Sequence, residues 1–422
     1  MNGLPTPRTE PDPQEVAMST PTTHESVAAE AHAFFAARAP KRERRGMLHG
    51  VGDDDVVGVG LTQPEDEAAE VAEAQRWQRE LFDAGLAWLD GPPALGGRGL
   101  GPDYVELVAG IAAEYELPST GTYMVSHGIV APTILAHGTE EQQRAFLPGI
   151  WRGDLICCQL FSEPEAGSDL ASLRTTAVRD GDDWIVTGQK VWSSFAHVAK
   201  LGELLVRTGP PESRHRGLSM FLIDMDLPGI DVRPLRQVTG SEHFNEVFLD
   251  GVRVPDARRL GPVDGGWNIA MTTVGSERSV LGRAHNGIMI EPVIRLFALA
   301  RSTGAIEDPA IQDLLAECWA REQVLHETAT RLRDAGGPAP GSVVKLMTTS
   351  DMEYYSDVAA RLLGYRMVAD TGAWGTYSWS QLLLSAPSHR IAGGSDEIQR
   401  NILAERVLGL PREERPVSEK SA

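Results

Sequence analysis

The sequence predicts an α+β protein in which a middle β region separates two helical regions. Apolar residues recur at helical spacing from about residue 24 to 153 and again from about 265 onward. Between these regions, from about 154 to 262, short apolar runs alternate with turn residues, which is typical of strands. The chain has 422 residues, which is too many for one simple core, so we expect two or three packed units.

The composition of the chain argues against nucleic acids and anionic membranes as partners and against disulfides. A net charge of −20 repels the phosphates of nucleic acids and of anionic membranes, so we expect neither as a partner. No run of about 18 apolar residues is present, and the N-terminus lacks the apolar core of a signal peptide. The three cysteines, Cys157, Cys158 and Cys318, fit a reducing compartment. We therefore expect a cytoplasmic protein without disulfides.

The N-terminal part divides into a tail and a helical domain. Residues 1–23 are rich in Pro, Thr, Glu and Asp, which predicts a disordered tail. We assign 24–153 to the N-terminal helical domain. A loop at 48–66 interrupts it, and a helical pattern then resumes at Glu67 and runs to Trp88.

The middle domain, at 154–262, is expected to be an antiparallel sheet or a small barrel. The run at 184–187 follows a turn at 180–183, which predicts a hairpin. The apolar run at 218–223 predicts another strand. A further strand at 246–249 should lead into a turn at Asp250 and Gly251.

The C-terminal region, at 263–422, is expected to form a helical bundle. Asp308 followed by Pro309 is typical of an N-cap and a first helical position. A second long helix is expected to end at Gly364, because glycine commonly terminates helices.

Two short motifs in the middle domain carry the chemistry. The first is a loop at 161–169, Phe-Ser-Glu-Pro-Glu-Ala-Gly-Ser-Asp, and by itself such a loop is most often only a turn. The second, at 189–194, places Trp192 beside two serines. A flavin ring needs an apolar wall to lie against and donors at its polar edge, and a trapped tryptophan beside hydroxyls supplies both. Together the motifs are compatible with a flavin site, although a tryptophan alone is commonly a core residue.

The order of these motifs resembles that of the acyl-CoA dehydrogenase family, whose members bind FAD. In the family a cysteine-initiated strand runs into Ser/Thr-Glu-Pro-x-x-Gly-Ser-Asp, and a Lys-x-Trp-x-Thr/Ser element follows, as from Cys158 to Ser194 here. Further matching blocks lie at 96–99, 137–142 and 393–401. The resemblance implies the three-domain fold of the family with a C-terminal four-helix bundle. It also implies FAD-dependent dehydrogenation of an acyl-CoA thioester to the 2-enoyl-CoA.

The resemblance also assigns residues to the cofactor. Phe161 and Ser162 would approach the flavin ring with main chain and hydroxyl. Trp192 would pack against the ring, and Ser194, where the family usually has threonine, would hydrogen-bond near its reactive nitrogen. The motif's Gly167 and Ser168 complete this part of the cofactor site, and Ser168 would also lie beside the pantetheine arm of CoA.

The base of the reaction is the point at which the chain departs from many members of the family. Removal of the proton α to a thioester needs a buried carboxylate base. Many members carry it directly before a glycine of the C-terminal block, where this chain has Gly393. Bacterial-type members carry it on an earlier helix, before an arginine, and this chain has Glu277 and Arg278 there. Because Glu277 falls on the apolar stripe of a predicted helix, we identify it as the base, with Arg278 in a supporting role.

The glycine block is then expected to bind the thioester. In the family, the main-chain N–H at the position of Gly393, in the pair with Gly394, stabilises the charge that develops on the thioester oxygen. By position, Ser395 and Glu397 would contact FAD of a neighbouring subunit. Ser395 is also expected to act as an ordinary N-cap.

The FAD diphosphate site departs from the family pattern. Arg361, before Gly364, stands where members often have a glutamine and two glycines, and Arg301 resembles a diphosphate arginine without its flanking phenylalanine. Gly275 replaces an aspartate that some members use for CoA. Such departures occur in members that assemble from two different subunits. We therefore consider a hetero-oligomer beside a homotetramer or homodimer.

Three functions compete at this point. The first is an acyl-CoA dehydrogenase that passes electrons to an electron-transfer flavoprotein. The second is an oxidase or monooxygenase of the same fold, and the third is a non-catalytic subunit or a nucleic-acid-binding relative. The histidines show no metal-ligand spacing, so we expect no metal. A fatty, branched or steroid-like acyl group is compatible with the sequence.

Overall fold

The computed structural model describes residues 22–42, 66–288, 290–332, 339–369 and 376–412. Within helices, the side chains at 278–292, 339 and 376–378 are also outside the description. Most of the tail predicted at 1–23 and of the loop predicted at 48–66 therefore lies outside the described residues. In the described part, no helix is long and apolar enough to cross a membrane. Within the same residues, no group of three or more His, Cys, Asp or Glu side chains could hold a metal ion. All three cysteines are free and buried.

The N-terminal part is helical, as predicted. Thr23 begins the first helix with a capping box that includes Ser26. A second capping box, from Thr139 and Gln142, begins the fifth helix. The helical pattern expected to reach Trp88 ends earlier, because the second helix stops at Asp83. The helices are α1 (His24–Ala36), α2 (Glu67–Asp83), α3 (Pro102–Ala112), α4 (Ala131–His137) and α5 (Glu140–Arg152).

The middle part is a twisted sheet of eight strands. Its strand order is β6-β7-β3-β2-β4-β5-β8, and β1 pairs with β4 off this path. Most pairs are antiparallel, as expected, but β1 and β2 both pair with β4 in parallel. The strands are β1 (Cys157–Leu160), β2 (Thr176–Asp180), β3 (Asp183–Ser194), β4 (Leu201–Arg207), β5 (Leu218–Asp224), β6 (Ile230–Leu235), β7 (Phe244–Pro255) and β8 (Arg259–Leu260).

The turn predicted at Asp250 and Gly251 is wrong. Strand β7 continues through both residues, and the register against β3 shifts there between Val186 and Gly188. Gly251 has a φ of +61°, which glycine adopts without strain and which commonly accompanies a bulge. The dipeptide therefore bends a long strand that remains continuous.

The C-terminal part is again helical. The Asp308 carboxylate accepts a hydrogen bond from the Ala310 N–H (2.9 Å) at the start of a long helix, as the sequence predicts. Gly364, with a φ of +56°, follows the end of the next long helix, also as predicted. The helices are α6 (Gly266–Ile288), α7 (Ile290–Ser302), α8 (Pro309–Leu332), α9 (Ala339–Leu363), α10 (Thr376–His389) and α11 (Asp396–Ile402).

One hydrophobic core joins all three parts of the chain. It contains Val130 and Ile134 from the N-terminal helices, Leu201 and Leu205 from β4, and Ile269 from α6. Separate cores lie on the other side of the sheet, inside the C-terminal helices and among α1, α2 and α3. The shared core fixes α6 against the sheet, and α6 carries the predicted base.

The glycine-rich stretch at 96–99 packs closely against the preceding loop. The Gly99 N–H donates to the Gly91 carbonyl (2.8 Å) and the Arg98 N–H donates to the Trp88 carbonyl (3.0 Å). A Cβ at Gly97 would lie 2.2 Å from the Gly91 carbonyl group. Because that neighbour is backbone, a side chain at Gly97 would force the two segments apart.

We expect Gly97→Ala to lower the free energy of unfolding by about 1–3 kcal/mol through this clash. Gly110→Ala is the matched control, since Gly110 is exposed within α3 and a Cβ there has nothing within 4 Å. The control should raise the free energy of unfolding by about 0.5–1 kcal/mol, because alanine favours the helix. Denaturant unfolding measures the free energy of unfolding of both variants. Equal changes in this free energy for Gly97→Ala and Gly110→Ala would contradict the close packing at Gly97.

Candidate active site

The two predicted flavin motifs meet through a buried ion pair. Lys190 in β3 reaches back to the loop after β1, where its Nζ lies 2.8 Å from Glu163 Oε1 and 3.0 Å from the Phe161 carbonyl oxygen. The side chains of Lys190 and Glu163 are 0% and 7% exposed. The Val191 N–H also donates to the Ser162 carbonyl (2.9 Å). The pair thus brings Phe161 and Ser162 alongside the strand that carries Trp192.

Glu163 has further donors on its other side. The N–H groups of Arg174 and Thr175 donate to its carboxylate at 2.6 and 2.9 Å. Burial raises the pKa of Glu163, but the Lys190 ammonium and these donors outweigh that effect, so the pKa lies below its usual value. Glu163 is therefore a charged group inside the protein, with its lone pairs satisfied. It closes the loop at 161–175 onto β3.

Trp192 stands out from the strand that carries it. The strand has an irregularity between Lys190 and Ser193, and Trp192 there has a φ of +62°. This left-handed conformation is costly for a bulky residue and commonly marks a functional site. The indole is 59% exposed and its nearest aromatic partner is the edge of Phe244, 5.8 Å away between centroids. A flat apolar face is thus available to a ligand.

Serine side chains lie close to Trp192 along the two motifs. The Ser193 hydroxyl oxygen is buried and has no hydrogen-bond partner among the described residues. Ser194 and Ser162 are half-buried, whereas Gly167 and Ser168 lie exposed on the loop. Phe161, Ser162, Trp192 and Ser194 are therefore brought together, and Gly167 and Ser168 lie further along the same loop.

The predicted base lies on α6, which crosses the shared core. Glu277 is half-buried, and it follows the fully buried Thr273 by one helical turn. The Thr273 hydroxyl contacts the Thr133 hydroxyl of α4 at 3.1 Å. Arg278 lies in α6 as well, but its side chain falls outside the described residues. The turn before Glu277 is thus fixed to the N-terminal part of the chain.

The Gly393 and Gly394 loop has a conformation that only glycine adopts easily. The two residues have φ of +64° and +84°. The Gln399 amide donates to both of their carbonyl oxygens, at 3.0 and 3.2 Å, and it accepts from the Ser342 hydroxyl at 2.7 Å. In a planar trans peptide the N–H points opposite to the carbonyl, so the Gly394 N–H points away from Gln399. Neither glycine N–H has an acceptor in the described part of the chain.

Charged residues hold the start of α11 beside this loop. Asp396 is buried, and it accepts from Lys345 (2.9 Å) and from Arg390 (2.9 Å). Ser395 caps the helix, since its hydroxyl accepts from the Ile398 N–H at 3.4 Å, as an N-cap should. Glu397 is exposed. The N-terminal backbone of the helix and then the Ser395 hydroxyl lower the pKa of Glu397.

The two arginines predicted for the FAD diphosphate are both exposed. Arg301 lies in the last turn of α7, and Arg361 lies in the last turn of α9. Both helices belong to the C-terminal core. Among the described residues, no described contact links the elements that carry these arginines to Trp192, so their predicted role remains a prediction about an assembled oligomer.

Sequence reasoning missed Glu203, which is fully buried in β4. Its Oε1 lies 2.7 Å from the Thr273 hydroxyl, one turn before Glu277. The only signal in the sequence is a carboxylate in the middle of the otherwise apolar run at 201–206. The contact with α6 is between residues 70 positions apart, so no local pattern predicts it.

The Lys190–Glu163 pair generates a stability prediction. We expect Lys190→Met to lower the free energy of unfolding by about 3–5 kcal/mol, because Glu163 would remain charged and buried without its cation. Denaturant unfolding measures the change. Arg253→Met is the control, since Arg253 pairs with Asp180 and Asp183 at the surface and such pairs contribute little. Equal losses of unfolding free energy in the two variants would show that the buried pair contributes no more to stability than the surface pair.

Comparisons of the sequence with known proteins identify the family of the chain. Three family models match the chain in order: the acyl-CoA dehydrogenase N-terminal domain at 61–154, its middle domain at 158–252 and its C-terminal domain at 264–408. Acyl-CoA dehydrogenase IpdE1 of Mycobacterium tuberculosis is 38% identical over 88% of this chain and 98% of its own length. Acyl-CoA dehydrogenase FadE34 of the same organism is 40% identical over 85% of this chain and 50% of its own length.

The fold of the chain is also similar to solved structures. The chain has a TM-score of 0.73 and 27% identity to the Tcur3481-Tcur3483 steroid ACAD, covering 94% of this chain and 99% of that one. The ChsE4-ChsE5 complex from Mycobacterium tuberculosis gives a TM-score of 0.69 and 27% identity, covering 94% and 100%. The family implies FAD, and the exposed indole of Trp192 and the unpartnered hydroxyl of Ser193, its neighbour in sequence, fit a flavin. The chain is an FAD-dependent oxidoreductase that belongs to the acyl-CoA dehydrogenase family.

Proposed function

We propose that this enzyme converts an acyl-CoA thioester into its 2-enoyl-CoA, with Glu277 as the base that removes the α proton. The observation that carries the proposal is the position of Glu277 on α6. It is half-buried one turn after Thr273, whose hydroxyl is tied to both α4 and the sheet. Gly393, at the other base position of the family, has no side chain that could act as a base. A fixed carboxylate is what proton abstraction requires.

The protein's own groups would share the work as follows. Glu277 accepts the α proton, and the unpartnered N–H groups of Gly393 and Gly394 donate to the thioester oxygen as negative charge develops on it. Trp192 gives the cofactor an apolar wall, and Ser162 and Ser194 offer hydroxyls at its edge. FAD, when bound, supplies the acceptor for the hydride that leaves the β carbon. Arg278 supports the base, and Ser168 lies along the path of the pantetheine arm.

The remaining cofactor residues belong to the assembled protein in this proposal. Arg301, Arg361, Ser395 and Glu397 all lie in the C-terminal part, and Arg301, Arg361 and Glu397 are exposed. They would contact FAD across a subunit interface. Two of the similar solved structures bear titles that join two different chains. These titles support a hetero-oligomer over a homo-oligomer. For the electron acceptor we keep the electron-transfer flavoprotein that the family resemblance implies.

We further propose a steroid-derived acid as the acyl group. The support is the similarity to a protein whose title describes a steroid ACAD, over nearly the whole of both chains. Chemically, the substrate would be a CoA thioester whose acyl chain is attached to a fused-ring body. A straight-chain fatty acyl-CoA is the alternative.

Anaerobic titration of the FAD-loaded protein tests the reaction. We expect the CoA thioester of a steroid acid to bleach the flavin absorbance, and octanoyl-CoA to bleach it more slowly. The two rates rank the substrates directly. A flavin that no thioester bleaches would exclude the proposed reaction. Rapid reoxidation by air with release of hydrogen peroxide would identify an oxidase instead.

Substitution of the base gives the residue-level test. We expect Glu277→Gln to retain FAD and lower the rate of flavin reduction by roughly 10²- to 10⁴-fold, because an amide cannot accept the α proton. Stopped-flow absorbance measures this rate. Glu327→Gln, at an exposed position of α8, is the control and should reduce its flavin normally. A Glu277→Gln enzyme as fast as the parent would remove Glu277 from the mechanism.

A further inference from the structure

Glu203 is a buried carboxyl that no step proposed above uses. Its relative exposure is 0%. It lies in β4 between Leu201 and Leu205 on the same face of the strand, opposite Leu222 of β5. These three neighbours belong to the core that joins the sheet to α4 and α6. A carboxyl in such surroundings is costly unless it is paired or uncharged.

Glu203 lies where three parts of the chain meet. Its Oε1 lies 2.7 Å from the Thr273 hydroxyl of α6. Thr273 in turn contacts the Thr133 hydroxyl of α4 (3.1 Å) and the Ile269 carbonyl (3.1 Å). The small polar cluster therefore joins β4, α6 and α4 through side chains that are all buried. Glu277, the proposed base, is one turn further along α6.

The surroundings of Glu203 favour its protonated form. No cation forms an ion pair with it among the described residues, and its Oε2 is buried without a hydrogen-bond partner. Burial raises the pKa of Glu203 to about 8. The hydrogen bond from Thr273 lowers this pKa, and the nearby charge of Glu277 raises it. A neutral acid can donate to Thr273 while Thr273 donates to the Ile269 carbonyl. An ionised Glu203 would instead leave a charge on an unpartnered oxygen.

The elements packed around this cluster carry several other titratable groups. On β1, burial raises the pKa of Cys157 to about 12 and raises that of Cys158 as well. On the turn before α4, burial lowers the pKa of His127 to about 4. On α4, His137 contacts the Thr272 hydroxyl at 2.8 Å. On α6, Glu277 is the charged group that acts on Glu203.

We propose that Glu203 is a positioning residue for Glu277, acting as a neutral carboxylic acid that ties α6 to β4 and α4 one turn before the base. When Glu203 ionises, the charge on its buried and unpartnered Oε2 destabilises the packing of β4 against α6, and this turn of α6 moves. The inference rests on the proposed role of Glu277. Because proton abstraction depends on geometry to within about 1 Å, movement of this turn slows the reaction.

The protonation state is tested without any substrate. We expect the infrared difference spectrum between the FAD-loaded parent and Glu203→Gln to show the carbonyl band of a protonated acid at pH 7. The band should disappear as the pH rises through about 8, where Glu203 ionises. A parent protein without this band at pH 7 would overturn the proposal, whatever the substrate of the enzyme is.

The positioning role is tested by the pH dependence of flavin reduction with the CoA thioester of a steroid acid. In the parent, loss of one proton should lower the rate by up to about tenfold per pH unit above the pKa of Glu203. Glu203→Gln keeps a neutral donor for Thr273, so we expect a near-parental rate at pH 7 that does not fall in this range. Glu203→Met cannot form the hydrogen bond and should be roughly 10- to 100-fold slower at pH 7.

The control is Glu322→Gln. Glu322 is another buried carboxyl with a raised pKa, mainly through burial, and Tyr355 donates to it at 3.3 Å inside the C-terminal core. Its replacement should leave the alkaline fall of the rate unchanged. An alkaline fall that persists in Glu203→Gln, or equal rates for the Gln and Met variants, would overturn the positioning role. A flavin that no thioester reduces contradicts the proposed function instead, while the infrared test still decides the state of Glu203.

Discussion

Lys190 and Glu163 form an ion pair almost without contact with water, and the flavin segment depends on it. The two residues are 27 positions apart, and the Lys190 ammonium also binds the Phe161 carbonyl. A buried pair of this kind is favourable only when the remaining hydrogen-bonding positions are filled, because desolvation of both ions is costly. Here the backbone N–H groups of Arg174 and Thr175 fill them. The same contacts therefore stabilise the charge and set the path of the loop, so the protein itself fixes the segments that we propose as the wall and the polar edge of the flavin site.

The proposed substrate end of the site relies on a second network, which is built on the Gln399 amide. Gln399 holds the carbonyls of Gly393 and Gly394, and Asp396 holds the start of α11 against Lys345. Left-handed glycines have little conformational preference of their own, so the amide of Gln399 decides which way the peptides face. Turning the carbonyls inward leaves the Gly394 N–H directed away from Gln399. A chain that lacks a carboxylate at position 393 thus keeps the donors that thioester chemistry needs.

Local sequence patterns predicted the features that depend on neighbours in sequence. Helical spacing, the cap at Asp308 and the stop at Gly364 involve residues within a few positions of each other, and the structure agrees with them. At Gly251 the sequence predicts a turn where the strand only bends, because a glycine after an aspartate has the same pattern in a turn and in a bulge. Only the partner strand distinguishes them. The motif around Glu163 and Lys190 was recognised through family resemblance, whereas the ion pair between them was not predicted. Glu203 was missed because its meaning comes from Thr273, 70 positions away.

The surroundings of two buried glutamates, Glu163 and Glu203, shift their pKa values in opposite directions. Glu163 has an ammonium and two backbone donors, so the charged form is stabilised and its pKa falls. Glu203 has one hydroxyl, apolar neighbours and a second carboxylate nearby, so the neutral form is stabilised and its pKa rises. Both residues are buried glutamates. The difference between their pKa shifts therefore follows from the groups that the fold brings to each carboxylate oxygen. A permanently charged anchor suits the cofactor segment, which must hold one conformation. A neutral carboxyl suits the turn before Glu277, because a second fixed charge there would oppose the ionised state that a base requires.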